Sequence, residues 1–199
     1  MSAYGVIRSV SGALRRILWQ DFDADAQVRA IVGSEQAIVF TNPKETAGRP
    51  ADRLSIWLYR ITENEFLKNQ PEVRANGADT RRPAPLALDL HYLVTPFARS
   101  GELDHLLLGK TLQTLYDNAT TLLRIPADNI AQELRIVLAR RTLEELTRVW
   151  EALQEPYRLS VAYQVTVTEV DSLRLTGGGR VIDRILGSTD DLAALEVEA

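Results

Sequence analysis

Apolar positions at helical spacing open the chain. In AYGVIRSVSGALRRILWQ, Ile7, Val10, Leu14, Ile17 and Leu18 recur three and four apart, which predicts a helix with Ser2 as its N-cap. A second helical stretch over Ala24 to Val32 should end at Gly33. QAIVF then reads as a short strand closed by the turn signal Asn42-Pro43, and residues 42–53 read as loop. LSIWLYRI, rich in β-branched, aromatic and aliphatic residues, predicts a further strand. The segment TENEFLKNQPEVRANGADTRRPAP follows, with three prolines and an Asn-Gly. Residues 62–85 are thus a long loop, and loops of that length tend to carry function.

LALDLHYLVTPF is a strand in which Leu86, Leu88, Leu90, Tyr92 and Val94 alternate with Ala87, Asp89, His91, Leu93 and Thr95. Asp89 and His91 fall on its more polar face, and Pro96 stops it. Glu102 to Tyr116 reads as a helix with an apolar stripe of Leu108, Leu112, Leu115 and Tyr116, and with His105 at the N-terminal end of that stripe. ELRIVLA is another strand. Thr142 and Glu145 form a capping box for a helix whose Leu143, Leu146, Val149, Trp150 and Leu153 should face the core. The clearest alternation lies in LSVAYQVTVTEV, with Leu159, Val161, Tyr163, Val165 and Val167 on one face. Its other face, Ser160, Ala162, Gln164, Thr166 and Thr168, is polar and expected to be open or to meet a partner.

The order α-β-β-β-α-β-α-β predicts class α+β: a mixed, mainly antiparallel sheet of about five strands packed by helices. Residues 1–175 form this domain, and the TGGGR joint begins a tail or docking arm over 176–199. A length of 199 residues, 45% apolar, fits one globular domain with a tail. The net charge of −4 makes nucleic acid a poor partner, and the pairs Arg15-Arg16, Arg81-Arg82 and Arg140-Arg141 are scattered among carboxylates. There is no cysteine, which removes disulfides, thiolate nucleophiles and Cys-based zinc sites. No signal-peptide pattern and no run of roughly 20 apolar residues occurs, so a soluble chain made in the cytoplasm, without a membrane partner, is expected.

His91 and His105 are the only two histidines, and Asp89 and Asp104 stand close to them. A hydrolase or metal centre built on Asp89, His91 and His105 is one reading. Two neighbouring ligands are too few for a stable metal site, and hydrogen-bonded structural histidines are the ordinary alternative. Gly109-Lys110-Thr111 resembles the end of a phosphate-binding loop, but position 104 is Asp where a glycine is needed, and the triplet lies inside a helix. Gly177-Gly178-Gly179 lacks dinucleotide-loop spacing, no G-x-S-x-G elbow occurs, and no catalytic, metal or cofactor residues are assigned.

LSIWLYRITEN, PLALDLHYLVTPF, GELDHLLLGKTLQTLYDN, TLEELTRVWEAL and PYRLSVAYQVTVTEV, in that order, resemble the N-terminal domain of the cap proteins of extracellular contractile injection systems, of the antifeeding-prophage and virulence-cassette type. The resemblance runs over about residues 4–171. It implies a structural, non-enzymatic tail terminator with a phage tail-terminator-like fold. Six copies would form a ring that closes the inner tube, meets the last sheath layer, ends polymerisation and so sets particle length. The implied partners are other copies of itself, the tube protein and the sheath protein. The implied location is a contractile particle assembled in the cytoplasm and open to release.

By this resemblance Arg60, Glu63, Asn64 and Asn69 match an R-x-T-E-N…N pattern, Asp89, His91 and Tyr92 an LDLHY motif, and Trp150, Pro156, Tyr157 and Arg158 a W…PYR corner. Trp150 and Tyr92 are expected in the core, and Arg60 and Arg158 as polar organisers of the sheet end. The candidate interface residues are Arg60, Glu63, Asn64, Asn69, Arg81, Arg82, Arg158, Arg180, Ile182 and Ile185. A baseplate or spike adaptor of the same kind of particle is the alternative structural role.

Overall fold

A computed structural model describes residues 5–67, 73–74, 80–82, 86–125, 130–170 and 176–177. Helix α1 spans Val6–Ala24 and buries Val6, Val10, Ala13, Leu14, Leu18 and Phe22 at the expected spacing. Its N-cap is Gly5; the expected cap, Ser2, lies outside the described residues. Asp25 breaks the helix in an extended conformation, and its carboxylate accepts from the amides of Gln27 and Val28 at 3.0 and 3.2 Å, which starts α2, Ala26–Val32. Gly33, at φ 80°, ends α2 as expected.

Strand β1 is only Ile38–Val39, preceded by a 3₁₀ turn over Glu35–Ala37, so QAIVF is half turn and half strand. Residues 42–53 are not all loop. Asn42 accepts from the Glu45 amide at 2.9 Å and Pro43 occupies the first helical turn, giving a short helix α3, Pro43–Ala47. The Asn-Pro pair that reads as a turn is equally a helix start, because proline has no amide to lose there.

The remaining elements are β2, Leu54–Glu63; β3, Val73–Arg74; β4, Thr80–Arg82; β5, Leu86–Pro96; α4, Gly101–Asp117; β6, Thr120–Ile125; β7, Ile130–Leu138; α5, Leu143–Leu153; β8, Val161–Val170; and β9, Thr176–Gly177. A six-stranded sheet runs β1-β2-β5-β8-β7-β6, antiparallel throughout except for the parallel pair β1 and β2. The α+β class and mainly antiparallel sheet stand, with one strand more than expected. β6 was missed because Leu122 and Leu123 break simple alternation, although one is exposed and the other buried. A separate sheet joins β3, β4 and β9, with Thr80 opposite Gly177. The chain divides into one compact unit of Met1–Gln70 with Ala84–Ser172 and a second of Pro71–Pro83 with Leu173–Ala199.

One face of the six-stranded sheet presents Leu54, Ile56, Leu90, Tyr92, Val94, Leu134, Ile136, Tyr163, Val165 and Val167 to the buried sides of α1, α2 and α4. The Tyr92 hydroxyl meets Ser11 Oγ on α1 at 2.9 Å, and burial pushes its pKa up to about 12, against the Ser11 bond that lowers it. The phase of α4 differs from expectation. Asp104, Leu107, Leu108, Thr111, Thr114 and Leu115 are buried, whereas His105 is exposed and Tyr116 is 81% exposed. Two threonines fill core positions because their hydroxyls find partners there: Thr111 Oγ1 donates to Leu107 O at 2.8 Å, and Thr114 Oγ1 to Asp21 Oδ2 of α1 at 2.8 Å.

The second sheet face is not open along its whole length. Ser160, just before β8, and Ala162 of β8 are buried, as are Leu93, Thr95 and Ser55. The capping box of Thr142 and Glu145 starts α5 as expected, but only Trp150 of that helix is buried, and Leu143 is exposed. Trp150 enters as a single plug and donates Nε1–H to Ser160 Oγ at 3.2 Å. The expected apolar stripe of α5 therefore does not form a core face.

Candidate assembly interface

The second face carries a seam of polar side chains, and a β-bulge creates it. Pairing of β2 with β5 runs Leu58 to Tyr92 and then Arg60 to His91, so Tyr59 is an extra residue. Simple alternation would put Arg60 and Thr62 with Leu58, towards the helices. The bulge turns them to the side of Asp89 and His91.

Two clusters result. Asn64 is buried, and its Nδ2 donates to both Asp89 oxygens at 3.1 and 3.2 Å. Thr166 Oγ1 donates to Asp89 Oδ1 at 2.6 Å from β8. Asn64 Oδ1 accepts from the amides of Phe66 and Leu67, at 3.0 and 3.2 Å, and so locks the turn that leaves β2. In the other cluster His91 Nδ1 lies 3.4 Å from an Arg141 guanidinium nitrogen, and Nε2 lies 2.9 Å from Thr62 Oγ1. Arginine only donates, so Nδ1 accepts and the Nε2–H donates to Thr62. Burial, then the positive fields of Arg141 and Arg60, hold the His91 pKa below its ordinary value against the pull of Asp89. Arg141 also pairs with Glu145 at 3.1 Å, which ties the start of α5 to the seam.

A third cluster closes one end of the sheet. Asp104, in the first turn of α4, accepts from Ala98 N at 2.7 Å and from Arg158 at 2.8 Å. The Arg158 guanidinium lies 4.5 Å from the centre of the Phe97 ring. Trp150 and Tyr157 meet edge to face, with centroids 6.2 Å apart.

Of the candidate interface residues, Asn64 and Arg158 are thus tied into these clusters, and Arg60 and Glu63 are exposed at the end of β2. Arg81 and Arg82 have their backbone in β4, while Asn69, Arg180, Ile182 and Ile185 lie outside the described residues. Trp150 and Tyr92 are in the core, as expected. The proposed acid-base set is not assembled. His91 points to Arg141 and Thr62 on one side of the sheet, and His105 is on the solvent side of a helix that packs against the other. Thr62, Thr166 and Arg141 were not anticipated as seam residues. The two threonines were legible as polar strand positions, but nothing local marks Arg141.

Among the described residues no group of three or more His, Cys, Asp or Glu is placed to hold a metal ion, and no helix is long and apolar enough to cross a membrane. An open apolar groove of 790 Å³ lies between the C-terminal end of α4 and the end of β7.

Residues 9–184 match the family described as the Pvc16 N-terminal domain. The chain belongs to that family. Among solved structures, the chain is similar to the sheath/tube terminator of an extracellular contractile injection system, PVC, in the extended state. The TM-score is 0.55 and the identity 23%, over 85% of this chain and 64% of that one. A tube terminating cap of the anti-feeding prophage also matches, at TM-score 0.47 and 23% identity, over 70% of this chain and 50% of that one. The chain therefore spans less than two thirds of the length of either solved protein. None of the curated proteins matches it.

Proposed function

We propose that the chain is a structural cap, a tail terminator that ends growth of the inner tube and sheath of a contractile injection particle and thereby sets its length. The observation that carries this reading is membership of the Pvc16 N-terminal domain family across residues 9–184. The shared fold with a sheath/tube terminator supports it. Six copies form a ring whose members contact one another, the last tube layer and the last sheath layer; no nucleic acid, membrane or cofactor takes part. The chain works without catalysis, inside a particle built in the cytoplasm and able to leave it.

The physical requirement is a rigid body with faces for several neighbours. The hydrogen-bonded seam and the Asp104–Arg158 clasp supply rigidity. The long segment between β2 and β5 and the tail beyond 175 are the proposed contact elements. Removing the gene should give particles of abnormal length, seen by electron microscopy, and the purified chain should bind tube ends. Unchanged length together with no tube-end binding would sink the terminator reading. Labelled protein found at the baseplate would replace it with an adaptor role.

A further inference from the structure

Two apolar features stand exposed on this chain, a knob and a groove. The first is Phe66, 96% exposed although its turn is held by the buried Asn64, which accepts hydrogen bonds from the Phe66 and Leu67 amides and pairs with Asp89. A large aromatic side chain on a locked turn loses little freedom on binding, as an interface anchor should. The second is the groove. β6 pairs with β7 only as far as Thr120 opposite Arg135, so Val137 and Leu138 beyond that pair remain uncovered at the sheet edge. Leu112 and Tyr116 of α4 form the other wall, and Tyr163 also lines it. A cavity of about 150 Å³ holds a benzene ring, so 790 Å³ admits a phenyl group with its neighbours.

We infer that Phe66 of one copy seats in the α4–β7 groove of a second copy, joining copies head to tail. Charge agrees: among the described residues Arg135 is the one charged side chain lining the groove, and Glu65 adjoins Phe66. Phe66 cannot fill its own groove, because β5 and β8 lie between β2 and β7. Three strand spacings put those two strands about 14 Å apart. Knob and groove are different surfaces, so the contact is heterologous and repeats around a ring or along a filament. The inference rests on the proposed ring and names the contact that builds it. One buried phenyl ring makes a weak pair, so the contact gains from closure of the ring or from a tube end beneath it.

The chain has no cysteine, which gives a clean test in the full-length protein. A variant carrying both Leu67→Cys, beside the retained Phe66, and Val137→Cys, treated with a short bis-maleimide alone and with tube ends, should form a ladder from dimer upwards. Either single substitution should give no more than a dimer. Phe66→Ser, at a site too exposed to disturb folding, should weaken self-association in sedimentation at least tenfold. No ladder, or a Phe66→Ser chain that associates like wild type, overturns the contact. Double-cysteine chain that forms the ladder but ignores tube ends sinks only the cap reading. Chain that binds tube ends with no ladder sinks only this contact.

Discussion

Replacing Asn64 probes the seam at its most constrained point. In Asn64→Ala, Asp89 loses the amide that serves both its oxygens and keeps the Thr166 bond at 2.6 Å. A hydrogen bond to a charged group is worth roughly 1.5–3 kcal/mol. The freed amides of Phe66 and Leu67 lie in an exposed turn and can bind water, so they add little. The expected loss is about 2–3 kcal/mol, or about 5–10 °C in Tm for a chain of this size.

Asn64→Asp should cost more, because two carboxylates then meet where a donor and an acceptor stood. Their repulsion at contact distance is roughly 4–5 kcal/mol at an effective dielectric constant of 20. Protonating one of them from an ordinary value near 3.9 instead costs about 4 kcal/mol at pH 7, which caps the loss. The folded state then holds an extra proton. The loss is therefore full at neutral pH and shrinks by about 1.4 kcal/mol per unit as pH falls towards 4.

The decisive variant is Asn64→Asp with Asp89→Asn. It reverses donor and acceptor while keeping bonds for Thr166 and the turn amides, and it should return to within about 1 kcal/mol of wild type. Urea denaturation, read as a change in midpoint at constant slope, measures all three. An alanine variant within about 0.5 kcal/mol of wild type, or a double variant no more stable than Asn64→Asp alone, would refute the reasoning.

Two further outcomes follow from the same geometry. His91 is held neutral in the fold, so its stabilising contribution is present above its unfolded value of 6.5 and is lost as pH falls through the lowered folded value. His91→Gln should flatten the dependence of the urea midpoint on pH below about 6.5, and an unchanged slope would count against a neutral His91. Asp104→Ala should cost about 2–3 kcal/mol by stranding Arg158 and the Ala98 amide, with Asp104→Asn losing less because an acceptor for Ala98 N remains; equal thermal shifts for the two would contradict the clasp.

Much of this protein was determined locally. The spacing of Val10, Leu14 and Leu18, the Thr142–Glu145 capping box and the alternation of Leu90, Tyr92 and Val94 set their elements and core-facing sides, because period and cap are properties of neighbouring residues. The order of motifs pointed to the family. Other features depended on residues far apart in the chain. The bulge at Tyr59 reverses the facing of Arg60 and Thr62, and only the pairing of β2 with β5 sets it. Asp89 looked like half of an acid-base pair until folding brought to it Asn64 from the turn after β2 and Thr166 from β8. Thr114 can face the core because Asp21 of α1 accepts its hydroxyl there, while Thr111 is satisfied by Leu107 O of its own helix, and with that face inside His105 lies in solvent. In the sequence Phe66 is one of a few apolar residues in the long segment between β2 and β5. Its meaning as a knob came from the buried Asn64 that fixes its turn and from the groove that β6 leaves uncovered on the far side of the same sheet.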